Sequence, residues 1–187
     1  QIGDYVIVEK RAYGARLPFT ATAQATWSSP ERGDIVVFLA PPSNPRDDDL
    51  IKRVVAVEGD TVEIRDGHLV LNGEPVPRER VPGPCTYEDK RERSDWTEEP
   101  CVDFVEKLDG HAYHTHCTPY LPCGDVERQK VPQGTVWLAG DHRDHSADSR
   151  VFGPVPIGRI KGRAKMVLVS WGPKGPRWDR LFHFIDH

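Results

Sequence analysis

The chain has 187 residues, enough for one hydrophobic core with an inserted segment but short for two independent domains. Its formal net charge is −4 and both signs of charge are spread along its length, which excludes the basic field that nucleic-acid binding requires. With 16 Gly, 17 Pro and short Val/Ile runs, the composition predicts a mainly β protein. No apolar run approaches the roughly 20 residues that a membrane-spanning helix needs.

Short β-branched runs separated by turn residues predict a series of strands. In chain order they are Tyr5–Val8, Ile35–Phe38, Leu50–Val57, Thr61–Ile64, Leu69–Leu71, Thr135–Ala139, Gly153–Ile157 and Lys165–Trp171. The unbroken apolarity of Ile35–Phe38 indicates a strand buried on both faces. Asp66-Gly67 predicts a tight hairpin turn, and irregular loops are expected at residues 18–30 and 41–49.

A polar segment interrupts this pattern from residue 78 to residue 130, where the apolar periodicity fades while charge, Pro and His accumulate. We predict that this segment is an inserted cap. The core would then consist of residues 1–77 together with residues 131–187.

All four cysteines lie in the predicted cap, at Cys85, Cys101, Cys117 and Cys123. Cysteines concentrated in a loop-rich segment are typical of disulfides in an exported protein. The short separations favour bonds between Cys117 and Cys123 and between Cys85 and Cys101. The alternative is a metal site that also uses nearby histidines, although the spacing matches no familiar zinc pattern; these are His111, His114 and His116.

The loop from Gly140 to Arg150 reads Gly-Asp-His-Arg-Asp-His-Ser-Ala-Asp-Ser-Arg. It places two hydroxyls, three carboxylates and two guanidiniums between apolar strands. A solvated polar turn is the simpler interpretation, but such a density of reactive groups favours a functional site.

This loop resembles the Gly-Asp-Asn-Arg-Asp-x-Ser-x-Asp-Ser-Arg box of bacterial type I signal peptidases, also called leader peptidases, with His142 in place of the family's Asn. Residues 3–14 resemble the end of the family's serine box, residues 32–38 a third box, and residues 51–60 its lysine box. Because four motifs occur in the family's order, the chain is identified as a member. The resemblance implies a mainly β, antiparallel signal-peptidase catalytic core with an inserted β-ribbon cap, and no metal or organic cofactor.

Lys52 is the general base that this resemblance implies. A solvated lysine has a pKa near 10.4 and is protonated at neutral pH, but burial among apolar side chains disfavours the ammonium form. A neutral amine could accept the proton of an attacking serine, as in other Ser/Lys enzymes. The simpler interpretation of Lys52 is an outward-facing residue on a half-exposed strand.

The resemblance also implies supporting and substrate-binding residues. Ser146 would orient Lys52, and Asp148 with Arg150 would form an ion pair that holds the loop, with Gly140 and Asp141 in support. An extended signal peptide would pair with the strand edge before Lys52. The residues implied in substrate binding are Asp49, Leu50, Ile51 and Ala147.

The family's serine would precede residue 1, as would its membrane anchors, so the chain as written is expected to be inactive. The implied function is that of a membrane-associated serine endopeptidase that removes signal peptides from exported preproteins. It would act as a monomer on the periplasmic face of the bacterial inner membrane, with signal peptides and the membrane surface as partners.

Two other hypotheses remain open. Self-cleaving repressors share the Ser/Lys core, but they need a DNA-binding module or a cleavable segment, and the sequence has neither. A non-catalytic peptide-binding module with the same core is the other alternative. The aromatic residues near the C-terminus fit either core packing or a membrane-facing surface; these are Trp171, Trp178, Phe182 and Phe184.

Overall fold

The computed structural model describes residues 1–15, 25–41, 49–90, 95–120 and 123–185, so parts of the two predicted loops lie outside the described residues. Within these residues the strands are β1 (Asp4–Glu9), β2 (Gly14–Ala15), β3 (Ala25–Thr26), β4 (Ile35–Leu39), β5 (Asp49–Val57), β6 (Thr61–Arg65), β7 (His68–Leu71), β8 (Glu74–Pro75), β9 (Arg78–Arg80), β10 (Cys85–Lys90), β11 (Trp96–Leu108), β12 (His111–Cys117), β13 (Val126–Lys130), β14 (Thr135–Ala139), β15 (Val155–Pro156), β16 (Ile160–Gly172), β17 (Gly175–Pro176) and β18 (His183–Phe184). The helical turns are α1 (Ser149–Phe152) and two 3-10 turns, Ile157–Arg159 and Trp178–Arg180.

The main sheet has the strand order β1-β16-β4-β5-β14-β15, with β17 and β18 also paired to β16. All of these pairings are antiparallel, which confirms the predicted fold class. Side chains of a strand alternate between the two faces of its sheet. Val54 of β5 therefore packs in one hydrophobic cluster and Val55 in the other, so this part of the sheet is covered on both faces.

Two predictions for individual strands need correction. In β4, Val36 and Phe38 are fully buried, whereas Ile35 is only half-buried because it lines an open cavity. The predicted strand at Gly153–Ile157 shrinks to β15. Its Pro156 has no backbone N–H for a sheet hydrogen bond, and a 3-10 turn begins at the next residue.

A second sheet has the order β13-β6-β7-β8 and packs against the main sheet. The predicted hairpin joins β6 to β7, and both of its turn residues, Asp66 and Gly67, have positive φ angles of 50° and 71°. Two positive φ angles suit the two-residue turns that connect twisted antiparallel strands.

The strands β9 to β12 form a separate four-stranded antiparallel sheet within the predicted cap. Strand β13 also belongs to residues 78–130, but it pairs with β6. The segment thus builds its own sheet and then joins the sheet of the preceding strands.

Two disulfides stabilise this region, Cys85–Cys101 and Cys117–Cys123, the pairing that the cysteine spacing favours. Among the described residues, no helix has the length and apolar character that crossing a bilayer requires.

Candidate active site

A cavity of about 510 Å³ opens beside the main sheet, and the predicted base and its predicted partner both line it. Lys52 enters the cavity from β5, and Ser146 enters from the loop that follows β14. Ile51, Gly140 and Asp141 line the same cavity. The fold therefore gathers residues from two sequence motifs in one concave site, as binding and catalytic sites commonly require.

The environment of Lys52 lowers the pKa of its amine. The residue is half-buried on β5, between the exposed Ile51 and the buried Arg53. Burial lowers the pKa of Lys52, although the carboxylates of Asp148 and Asp141 act in the opposite direction. Since the net direction is downward, deprotonation is easier than for a solvated lysine.

Gly140 leaves the space that Ser146 occupies. A Cβ atom added at Gly140 would lie 2.1 Å from Ser146 Oγ and 2.5 Å from Ser146 Cβ. Ser146 Oγ is buried and makes no hydrogen bond of standard geometry within the described residues. The hydroxyl packs against Gly140 and also interacts with the Asp148 carboxylate, whose pKa it helps to lower. Any larger residue at position 140 would displace it.

Asp148 and Arg150 form the ion pair implied by the sequence. Arg150 Nε and Nη2 donate to the two carboxylate oxygens of Asp148 at 2.8 and 2.7 Å. Asp148 also accepts the backbone N–H of Gly140 at 2.8 Å. Burial alone would raise the pKa of Asp148, but Arg150 and the Gly140 amide hold it below its usual value. This pair fixes both ends of the loop of residues 140–150, called the site loop below.

A second bidentate ion pair was not predicted. Arg53, next to Lys52, donates from Nε and Nη2 to Asp141 at 2.9 and 3.0 Å. It also donates to the Gly33 carbonyl and stacks 4.0 Å from the centre of the Tyr113 ring. The pair connects the lysine strand directly to the site loop. Its sequence signal was a second basic residue, next to Lys52, in a largely apolar strand.

The site loop is also attached to the predicted cap by a buried charge network. Glu106 of β11 is fully buried and pairs with Arg143, which is 3% exposed. Tyr113 donates its hydroxyl to Glu106 at 3.1 Å, and Arg78 Nε lies 3.7 Å from the same carboxylate. Glu106 carried no recognisable sequence signal because its partners are distant in the chain.

The backbone of β12 continues this attachment. The His116 N–H donates to the Asp141 carbonyl, and the Arg143 N–H donates to the His116 carbonyl, both at 2.8 Å.

The His142 ring stacks on His145 with 5.0 Å between ring centroids. Burial, together with the neighbouring imidazoles, lowers the pKa of His142 to about 4. His142 is therefore uncharged at neutral pH, as the Asn of the motif would be.

Ser149 is a further residue that the sequence did not single out for a role. It begins α1, and its hydroxyl accepts the backbone N–H of Leu138 at 2.9 Å. The contact joins the end of the site loop to β14.

One side of the lysine strand remains unpaired next to the cavity. Strand β4 pairs with β5 from Asp49 to Arg53, whereas β14 pairs with β5 only from Arg53 onward. Among the described strands, none pairs with the second edge of residues 49–52. An open edge can accept an extended peptide as an additional strand.

The predicted substrate residues occupy different environments along this edge. Ile51 is 42% exposed and lines the cavity, whereas Leu50 packs against a core cluster. Asp49 forms an ion pair with Lys161 at 2.5 Å, and Ala147 is exposed. Of the four, only Ile51 is a cavity-lining residue.

The structure bears on the alternative of a metal site that uses the cysteines and nearby histidines. The sulfurs of Cys85 and Cys101 lie near His116, but each pair of cysteines is disulfide-bonded. Bonded sulfurs are not the thiolates that zinc sites use. His114 and His116 instead contact Asp103, at 2.8 and 3.4 Å.

Comparisons with known proteins show which family the chain resembles. The family model described as signal peptidase, peptidase S26 matches residues 1–171. A signal peptidase I from Pseudomonas aeruginosa is 34% identical over 98% of this chain and 64% of its own length. Thylakoidal processing peptidase 1 from Arabidopsis thaliana is 31% identical over 97% of this chain and 40% of its own length. A crystal structure of a signal peptidase I from Enterococcus faecalis matches with a TM-score of 0.43 and 25% identity, over 73% of this chain and 97% of that one.

The chain belongs to the signal peptidase family, peptidase S26. It spans 64% of the first of these relatives, so the relative contains further sequence beyond the matched part.

Proposed function

We propose that this protein is the catalytic part of a signal peptidase that removes signal peptides from exported preproteins by a Ser/Lys mechanism. The observation that carries the proposal is the shared cavity of Lys52 and Ser146, beside an unpaired strand edge. Membership of the peptidase S26 family supports it.

In the proposed reaction, Lys52 removes the proton from the nucleophilic serine, which the resemblance to the family implies before residue 1. The serine oxygen attacks the scissile carbonyl and forms an acyl-enzyme, and the leaving amine takes up a proton. Lys52 then activates a water molecule that releases the acyl group. Ser146 orients the Lys52 amine, and the ion pair of Asp148 with Arg150 holds Ser146 in place.

The substrate would bind as an extended strand along residues 49–52. Backbone hydrogen bonds to this edge supply affinity that does not depend on sequence, while side chains next to the cut enter the cavity. We propose that small residues at the cleavage site are preferred, as the resemblance to signal peptidases implies.

A surface rich in exposed aromatic residues supports action at a membrane. Trp171 is 52%, Trp178 73% and Phe184 68% exposed. Phe184 also lines the cavity, so this surface adjoins the site. Aromatic side chains favour the bilayer interface. We propose that the protein acts as a monomer on the periplasmic face of the bacterial inner membrane, with this surface against the lipid.

The decisive experiment replaces Lys52 in the full-length protein as its gene encodes it. Lys52→Ala should lower the rate of preprotein cleavage by about 10²–10⁴-fold, because general-base catalysis is lost. Lys52→Arg should be equally inactive, since a guanidinium stays protonated. The measurement is release of mature protein from a preprotein in detergent or lipid vesicles.

Lys130→Ala is the matched control, because Lys130 is an exposed lysine on another sheet. It should leave the cleavage rate unchanged. If Lys52→Ala retained most of its activity, the mechanism would be wrong. If the unmodified protein bound signal peptides without cutting them, the non-catalytic binding module would be the better description.

A further inference from the structure

We propose that the Cys117–Cys123 disulfide is a reversible redox-modification site, opened by a dithiol reductant, that controls how firmly the site loop is held. The inference rests on the proposed function for its consequence on catalysis, but not for its chemistry. Both cysteines line a second cavity, of about 390 Å³. A reductant can therefore approach the bond from solvent.

The two sulfurs have different surroundings. Cys123 is half-buried, whereas Cys117 is 4% exposed. Cys123 lies against Gly67, where an added Cβ atom would come within 2.8 Å of Cys123 Cβ. The side chain of Arg78 contacts the surroundings of both cysteines. It donates to the carbonyl of Gly67, which lies against Cys123, at 2.9 Å and to Cys117 Sγ at 3.1 Å.

This arrangement selects one direction of attack. In thiol–disulfide exchange, the sulfur that leaves most easily is the one whose thiolate is most stable. The guanidinium of Arg78 stabilises negative charge on Cys117 Sγ. Cys117 is therefore the leaving group, and the more accessible Cys123 is the sulfur that the incoming thiolate attacks.

The reaction balances with a dithiol as the two-electron donor. One thiolate of the reductant bonds to Cys123 Sγ, and the bond between Cys123 and Cys117 breaks with the electron pair leaving on Cys117. The second thiolate of the reductant then attacks its own partner sulfur in the mixed disulfide and releases Cys123. Both cysteines take up protons, and the reductant becomes a disulfide.

Reduction would act on the site because both ends of this disulfide hold the site loop. On one side of Cys117, the backbone of His116 pairs with Asp141 and Arg143. On the other side, the Thr118 N–H donates to the Asp144 carboxylate. At the other end, the Cys123 carbonyl accepts Arg150 Nη1 at 3.2 Å. When the Cys117–Cys123 bond opens, the contacts beside Cys117 and the contact at Cys123 are no longer linked through the disulfide.

The Cys85–Cys101 disulfide provides the internal control. It joins directly opposed residues of β10 and β11, whose antiparallel ladder continues to Lys90 and Trp96. The hydrogen bonds of this ladder keep the strands together whether or not the sulfurs are bonded. Cys117, in contrast, is the last residue of β12, and Cys123 lies outside any strand.

The first experiment uses the unmodified chain and follows each disulfide in dithiothreitol by thiol alkylation and mass spectrometry. Cys117–Cys123 should open about 10-fold faster than Cys85–Cys101. Hydrogen exchange at the Thr118 and Arg143 amides should then accelerate by about 10-fold, while the core amide of Val54 stays protected. Simultaneous opening, the reverse order or unchanged exchange in the loop would each overturn the proposal.

A pair of variants tests the leaving-group chemistry. Arg78→Gln removes the positive charge and should slow reduction of Cys117–Cys123 by about 10-fold, whereas Arg78→Lys keeps a cation and should react about as fast as the unmodified chain. Equal rates in the two variants would contradict the assigned direction of attack. The order of reduction in the unmodified chain decides the proposal even if Arg78→Gln fails to fold.

The activity experiment uses the full-length protein. Selective reduction should lower kcat by about 10-fold with a much smaller change in KM, because the strand edge at residues 49–52 is not held by this disulfide. Cys85→Ser/Cys101→Ser should keep this response, and Cys117→Ser/Cys123→Ser should have low kcat and no response. An unaltered kcat after reduction counts against the proposal. A protein that cleaves no preprotein at all defeats only the proposed function, since the thiol and exchange measurements still decide the redox site.

Discussion

The protonation of Lys52 results from two opposed influences. Burial lowers the pKa of its amine, while the carboxylates of Asp148 and Asp141 raise it. The site keeps these carboxylates because each one neutralises an arginine and fixes the loop. Desolvation therefore outweighs the acidic neighbours, and the pKa of the Lys52 amine lies below its usual value.

This balance predicts a shift in the pH dependence of cleavage. Activity should rise with pH as Lys52 loses its proton. The midpoint of this rising limb of the pH profile should lie below the ordinary lysine pKa, because burial lowers the pKa of Lys52. Asp141→Asn removes a carboxylate that raises the pKa of Lys52, so its limb should move to lower pH. The measurement is kcat/KM against pH in the full-length protein.

Asp66→Asn is the matched control for this change. Asp66 is exposed in the β6–β7 turn with a φ of 50°, a conformation that Asn tolerates well. Its limb should coincide with that of the unmodified protein. A limb that moves to higher pH in Asp141→Asn would contradict the assigned electrostatics.

The sequence predicted Lys52 and the loop residues because each lies in a local motif. It did not predict the pairing of Arg53 with Asp141 or of Glu106 with Arg143. Such pairs depend on which strands become neighbours, and that information is not carried by periodicity. The roles of Lys52 and Ser146 in catalysis stay predictions.

At the scale of secondary-structure elements, the site loop is clamped between the main sheet and the cap sheet. Arg53 of β5 holds it from one side, and Glu106 of β11 holds it from the other. A loop held on both sides can present side chains with the fixed geometry that catalysis requires.

We predict that Glu106→Gln destabilises the protein by about 3–5 kcal/mol, because it leaves Arg143 and Arg78 buried without their shared carboxylate. The measurement is the free energy of unfolding from urea denaturation. Glu79→Gln is the matched control, since Glu79 is 71% exposed and pairs with an exposed lysine. Its cost should stay below about 1 kcal/mol. Equal costs for the two variants would refute the structural role of Glu106.

The elements themselves were predictable to different degrees. The strand Thr135–Ala139 and the Asp66-Gly67 hairpin were confirmed, because alternation and turn chemistry act locally. Strand β16 is longer than the predicted Lys165–Trp171, since pairing with β4 extends it back to Ile160. The cap strands were missed as individual elements because half-exposed strands rich in charge lack the apolar pattern on which prediction depends.

At the scale of the whole molecule, several exposed aromatic residues lie on the strands at the β1 edge of the main sheet. Strands β1, β16 and β18 carry Tyr5, Trp171 and Phe184 there. The sequence left open whether the C-terminal aromatic residues pack in a core, and their exposure excludes complete burial.

Replacing exposed aromatic residues should weaken membrane binding without loss of fold. Trp178→Ser/Phe184→Ser should reduce binding to anionic phospholipid vesicles by about 10-fold or more, because two aromatic side chains no longer enter the interface. The thermal midpoint should change little, since these side chains are 73% and 68% exposed. Vesicle sedimentation measures the binding.

Tyr120→Ser is the matched control, because Tyr120 is 84% exposed but belongs to the cap segment. Its binding should be unchanged. Equal weakening by both variants would show that the aromatic surface is not the site of membrane contact.

The pairing of β1 with β16 dictates an order of assembly. Asp4 lies opposite Ser170, so β1 meets its described neighbour β16 only after the residues between the two strands have been synthesised. Until then its exposed backbone groups can associate with other chains. Folding of β1 into the sheet should therefore be slow, and a chaperone that shields β1 until β16 is available should raise the yield of native protein.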